Sequence, residues 1–176
     1  MNRLKLVLII IILLGPLYGC IPTSVNPISV QDEFIFNEQL FGVWRSVEDK
    51  EQSYYHFGDQ DKGLIQIIMV IHNGDSISHG IMKAHVSKLN ESEYLNVRLC
   101  NKIDCAGHIF VKYRIVDDKT MEIALQESEY IETAITKGLI EGKDGDITAK
   151  SEDIAAFIIK HDADIFTEYH TLSKIN

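Results

Sequence analysis

Three cysteines are the residues in this chain whose type and placement most directly imply chemistry: Cys20, Cys100 and Cys105. Cys20 ends a segment with the marks of an export signal. Arg3 and Lys5 form a basic head, Leu6 to Leu14 is an unbroken apolar run, and Gly19 is a small residue at the exit. The run is short for a membrane span, which takes about 20 residues. Export puts Cys100 and Cys105 in an oxidising setting as an even pair, with Asn101-Lys102-Ile103-Asp104 between them. That spacing suits a disulfide across a hairpin turn. The competing reading is a zinc or redox pair. It is disfavoured because Cys-x4-Cys is not Cys-x2-Cys and no second pair completes a site.

Other residue types offer less. His79 and His85 are six apart, so they share one face of a strand with Lys83 between them. A cation between two ligands works against a metal, and these read as ordinary surface histidines. His72, His108, His161 and His170 are scattered without a metal-binding spacing, so neither a metal nor any other cofactor is expected. No Gly-x-Ser-x-Gly elbow, Ser-x-x-Lys tetrad or Gly-rich phosphate loop is present. Glu127, Glu129 and Glu132 have the spacing of a solvated helix face. The expectation is a protein that is not an enzyme and has no catalytic residues.

Leu17-Tyr18-Gly19-Cys20 resembles the lipobox of bacterial lipoproteins. The resemblance implies that residues 1–19 are removed, that Cys20 is acylated, and that the membrane is a partner through this lipid. Ile21, rather than an aspartate, comes after the cysteine, which by the same resemblance favours the outer membrane of a Gram-negative envelope. More than one acyl chain holds durably, since each buried methylene contributes roughly 0.8 kcal/mol.

The whole chain of 176 residues carries 17 basic and 26 acidic side chains, a net charge of −9 with histidines neutral. Two of the basic residues lie in the leader, so the exported part is more acidic still. Such a balance argues against nucleic acid as a partner and accounts for solubility. The chain beyond the leader suffices for one domain with a real core.

The elements that must position these residues can be read from periodicity. Ile21 to Gln31, with Pro22 and Pro27 among small polar residues, reads as a spacer, so residues 20–39 are expected to be a lipidated N-terminus and tether. Asp32 to Leu40 leads in as a short helix or irregular turn. From Leu40 the period is two: Ile65, Ile67, Met69 and Ile71 share a face, as do Gly80, Met82, Ala84 and Val86, then Leu95, Val97 and Leu99, then Ile109, Val111, Tyr113 and Ile115, then Met121, Ile123 and Leu125. Turn residues separate them, notably His72-Asn73-Gly74-Asp75, Asn90-Glu91-Ser92 and Asp117-Asp118-Lys119. Short connections favour consecutive antiparallel hairpins. About seven such strands with one apolar face must curl to hide it, as a barrel or a strongly bent sheet, and the barrel is the expected form.

Beyond Gln126 the period lengthens. Ile131, Ala134, Ile135 and Leu139 predict a helix that Gly142 stops. Gly145 to Ala149 suits a further short strand. Ser151 is placed to cap a second helix with Ile154, Phe157 and Ile158 on its buried stripe. Ile165 to Ile175 then returns as a strand. The fold class is therefore mainly β, an antiparallel meander closed into a small barrel, with two helices and a return strand late in the chain.

Gly42-Val43-Trp44, at the head of the first strand, resembles the Gly-x-Trp motif of lipocalins. The resemblance spans residues 40–176. It implies a barrel whose floor is closed by Trp44, with a cation from the late chain packed on the ring. Lys174, in Leu172-Ser173-Lys174-Ile175, stands where the family has an arginine, and the helix around Glu129 to Ile140 is additional. Two functions are compatible with these readings. One is a membrane-anchored lipoprotein whose barrel binds an apolar small molecule. The other is a structural or protein-interaction lipoprotein, with a barrel filled by its own side chains and an envelope or foreign protein as its partner.

Overall fold

The computed structural model describes residues 21–30, 33–47, 52–61, 63–100 and 105–175. Seven strands succeed one another: β1 (Gly42–Ser46), β2 (Gln52–Asp61), β3 (Leu64–Asn73), β4 (Ser76–Leu89), β5 (Ser92–Cys100), β6 (Cys105–Asp117) and β7 (Thr120–Leu125). Next come helix α1 (Ser128–Thr136), the two-residue strands β8 (Gly142–Lys143) and β9 (Asp146–Ile147), helix α2 (Ser151–Ile165) and strand β10 (Tyr169–Ile175). The strands close into an antiparallel barrel of order β1-β10-β7-β6-β5-β4-β3-β2, while β8 and β9 pair separately. The return strand expected near the C-terminus is the closing strand: β10 pairs with both β1 and β7.

The alternation of apolar side chains sets the register, since a one-residue slip would turn a whole strand inside out. The turns agree with it. Gly74 and Asn90 adopt left-handed backbone, with φ of 58° and 53°, inside the two-residue β3–β4 and β4–β5 turns. One end of the barrel carries the β2–β3, β4–β5 and β6–β7 turns together with a 3-10 turn over Glu38–Leu40 that leads into β1. Here Leu40, Trp44, Ile65, Met121 and Leu172 are at most 2 % exposed, and this is the closed end. The opposite end carries the β3–β4 and β5–β6 hairpins.

A second core lies outside the barrel. Tyr94, Phe110 and Ala124 project outward from β5, β6 and β7 and are buried beneath α1 and α2 by Ile131, Ala134, Ile154, Phe157, Ile158, Ile165 and Phe166. Complete burial of one such large side chain contributes about 1.5–3 kcal/mol, which fixes the helices on this wall. Tyr94 also donates to Asp162 Oδ1 at 2.6 Å, and Lys112 forms an ion pair with the same carboxylate.

Several boundaries differ from expectation for local reasons. α1 ends before Gly138, which takes φ of 67°, rather than running to Gly142, which opens β8. Ser151 is the first residue of α2 and not its cap. Lys150 occupies that place without a side-chain bond. Ile165 closes α2 rather than starting the last strand.

The larger correction concerns the expected tether. Residues 22–30 are docked on the barrel rather than forming a spacer, with Ser24, Ile28 and Ser29 buried. β7 stops at Leu125 and leaves the start of β6 with an unpaired edge, which Ser24 fills through reciprocal backbone bonds with His108 of 2.8 and 2.7 Å. Ser24 is bridged on its other side to Ile147 of β9. The segment then crosses the outer face of β5 and β4, and Ile35 pairs with Val86. Proline and small polar residues signalled absence of regular structure, and that is a different property from absence of contact.

Candidate functional site

The lipobox and its acylation residue, Cys20, lie outside the described residues. The other sequence-selected residues fall into two places on the barrel. Cys100 and Cys105 face each other at the ends of β5 and β6 and form a disulfide, with Cα atoms 4.0 Å apart. The bridge fastens the tip of one hairpin at the open end. Gly42, Trp44 and Lys174 meet at the closed end.

The grouping at the closed end is built by register. Trp44 pairs with Lys174 across β1 and β10 and with Tyr55 across β1 and β2. Its ring is fully buried, and its indole N–H donates to the Leu40 carbonyl at 2.7 Å, tying the strand to the 3-10 turn below it. Lys174 Nζ sits 5.0 Å from the centre of the Trp44 ring and donates to the Gln39 carbonyl at 3.1 Å. Gly42 permits the arrangement twice over. Its φ of 124° belongs to a region that side-chain-bearing residues rarely occupy, and a Cβ there would lie 2.9 Å from Lys174 Cε. Nearby, Tyr113 donates to Glu93 Oε2 at 2.5 Å and Asn37 Nδ2 donates to the same oxygen at 2.9 Å. Burial, and then this carboxylate, push the Tyr113 hydroxyl well above the usual phenol range. It remains a donor, and the trio binds the entering chain to β5 and β6. A polar surface cleft of about 430 Å³, lined partly by Asn37, Glu91, Glu93 and Tyr113, opens beside it.

Above this floor the inner wall becomes accessible. Tyr55, Met69, Ile71, Val111 and Ile123 are on the inward face and half-buried, while Leu99 and Leu125 at the rim are 47 % and 43 % exposed. Exposure rises on this face unevenly: Ser46, Ser53, Val97 and Ile109 are buried on it, and Ser46, Ser53, Ser78 and His170 place polar groups among the apolar ones, where they could orient a ligand.

His85 is the residue that sequence reasoning misplaced. It is 5 % exposed and not a surface histidine, because the docked N-terminal segment covers the outer face of β4. Its ring stacks on Phe34 at 3.7 Å and lies 6.2 Å from the ring of His108. Its Nε2 is buried and has no hydrogen-bond partner among the described residues. Burial, reinforced by His108 and only partly opposed by a hydrogen bond to the Ser29 backbone, lowers its pKa to about 4. His108 is half-buried, bonded to the Ser24 carbonyl, and also shifted down, chiefly by burial. Around them Ser29 and Ser87 hydroxyls lie 2.5 Å apart, Asn96 Nδ2 donates to Ser87 Oγ at 2.8 Å, and Asn96 Oδ1 accepts from Ile28 N at 2.7 Å. The available signal was apolar content: Ile28, Phe34 and Ile35 are costly in a solvated spacer.

His79 is exposed and six residues from His85 on the same strand, so the two do not meet. Among the described residues no three metal-ligating side chains gather. No family model, curated protein or solved structure matches the chain.

Proposed function

We propose that this chain is a lipid-anchored protein of the bacterial envelope whose barrel holds an apolar small molecule in its upper half. The observation that carries the reading is a group of accessible apolar side chains on the inward face of β3, β5, β6 and β7, set above a sealed floor. Leu40, Trp44, Ile65 and Leu172 are sealed at the floor, whereas Met69, Ile71, Val111 and Ile123 are half-buried and Leu99 and Leu125 open to solvent. Apolar side chains accessible within a closed barrel gain free energy when a ligand displaces water from them, roughly 25 cal/mol per Å² covered. The succession of basic head, apolar run, Gly19 and Cys20 in the sequence supports the anchor, and the acidic balance supports a soluble body held near lipid only by that anchor.

Native mass spectrometry of the full chain, gently extracted from its envelope, tests the reading. The expected result is an adduct of a few hundred daltons, on the order of one drug-sized ligand, that dissociates on activation. Protein carrying only its N-terminal acyl chains would overturn ligand binding and leave a filled or water-filled barrel.

A further inference from the structure

Above Trp44 the barrel has two unlike walls. On β5, β6 and β7 the inward side chains are Val97, Leu99, Ile109, Val111, Ile123 and Leu125, all apolar. Along the remaining arc, His170 of β10, Ser46 of β1, Ser53 of β2 and Ser78 of β4 bring polar groups to the same face.

Two of these serines are enclosed. Ser46 stands two residues beyond Trp44, so it shares the inward face, and it pairs with Leu172 of the barrel core. Ser53 stands two residues before Tyr55 and pairs with Ile71. The last β1–β2 pair is Arg45 with Tyr54, and Ser46 and Ser53 are the next position on each strand. Inward side chains at such neighbouring positions have Cβ atoms about 4.5–5.5 Å apart. Ser46 is 9 % exposed and Ser53 is 5 % exposed, yet neither hydroxyl has a hydrogen-bond partner among the described residues. The other buried serines behave differently: Ser24 bonds the Asn26 carbonyl, and Ser29 and Ser87 bond each other. Buried hydroxyls are normally paired, so two neighbouring ones aimed inward without a partner point to a group that the protein does not itself supply. Among the described residues the one partnerless side-chain atom that is fully closed off is His85 Nε2, so both serine oxygens still reach open space.

We propose that Ser46 and Ser53 form a hydrogen-bonding subsite for one uncharged polar group of the ligand, with the hydrocarbon part lying against the β5–β7 wall. The inference rests on the ligand reading above and names the class: a neutral amphiphile with an ester, amide or hydroxyl group. Two hydroxyls can donate to such a group and accept from it. A carboxylate would meet no counter-charge. Among the described residues no Lys or Arg faces inward above Trp44, and Lys174 is held at the closed end by the Trp44 ring and the Gln39 carbonyl. An ionised headgroup on this wall would lose its hydration without an ion pair to replace it.

Equilibrium dialysis tests the subsite, with radiolabelled 1-decanol and decanoate at pH 8 against the full chain in lipid nanodiscs. Empty nanodiscs supply the reference for partition into lipid. Decanol should bind saturably and at least about tenfold more tightly than ionised decanoate. Ser46→Ala with Ser53→Ala should weaken decanol about tenfold, as expected for two lost hydrogen bonds. Urea midpoints in mild detergent separate a binding role from a structural one. Hydroxyls without a partner in the protein add nothing to the empty fold, so the double variant should be at least as stable as the parent. A lowered midpoint overturns the subsite. Unchanged decanol affinity in the double variant also overturns it, and leaves the ligand reading standing. Decanoate bound as tightly as decanol overturns the uncharged class. If neither probe binds above empty nanodiscs, the ligand reading falls and the subsite falls with it.

Discussion

Lys174 lies over Trp44, with Nζ 5.0 Å from the ring centre, and its stem passes so close to Gly42 that a Cβ at that glycine would sit 2.9 Å from Cε. Three residues from opposite ends of the barrel domain therefore form one unit that joins its first and last strands. Trp44→Ala should cost about 3–5 kcal/mol, the usual range for truncating a buried aromatic. Gly42→Ala should cost more than the ~1 kcal/mol typical of point substitutions, because it meets both unfavourable backbone and Lys174. Urea midpoints with unchanged m-values measure both. A Gly42→Ala protein as stable as the parent would dissolve the unit.

Acid should weaken the docked N-terminal segment. His85 is held down to about pKa 4 from 6.5, so the unfolded state binds its proton first as pH falls. Stability is complete above pH 6.5 and declines between there and pH 4, by on the order of 3 kcal/mol from this residue. His108 acts in the same direction, and Arg98 is the charged neighbour that opposes protonation of His108. Urea midpoints at pH 7, 5.5 and 4.5 should show this slope. His85→Phe keeps a ring against Phe34 and should flatten it, whereas an unaltered slope would remove His85 from the account.

Removing the disulfide as Cys100→Ser with Cys105→Ser should cost roughly 2 kcal/mol by the chain-entropy estimate for so short a loop. The β5–β6 register should persist, because Val97 still pairs with Ile109 and Leu95 with Val111. Circular dichroism tests the retained fold and urea denaturation the loss. An unfolded double mutant would give the bridge a larger role than loop closure explains.

Tyr94→Phe removes the 2.6 Å hydrogen bond to Asp162 but leaves that carboxylate paired with Lys112. A loss of about 1–2 kcal/mol is expected, since the remaining ion pair keeps the carboxylate from being orphaned. Hydrogen exchange should quicken in α2 before it does in the barrel. Uniform quickening would mean that helix and barrel open only together.

The barrel was legible because each strand has one face in an apolar interior and alternation reports that directly, as Ile65, Ile67, Met69 and Ile71 do. The closed end was legible through Gly42, Trp44 and Lys174, whose types carry geometric demands. The surroundings of His85 were not legible. His85, Ser87 and Asn96 are polar and alternate correctly for a solvated face, yet polar groups of the N-terminal segment satisfy most of them and bury them. Periodicity measures polarity, and a polar cover leaves no trace in it. The end of α1 was mistaken for a related reason: Gly138 and Gly142 are both suitable stops, and tertiary pairing of Gly142 in β8 decides between them.

The bonds that dock the N-terminal segment also bear on how the chain reaches its fold. Thr23 bonds Asp146 across 123 residues of sequence, and Pro22 bonds Gln126 across 104. None of these partners exists until most of the chain has been delivered, and the barrel itself cannot close before β10 is present. Contacts this distant slow folding, because chain entropy is lost before they form. Residues 22–30 therefore find their places late, after β6, β7 and the β8–β9 pair have formed, and the outer face of β4 and β5 that carries His85, Ser87 and Asn96 stays uncovered until then.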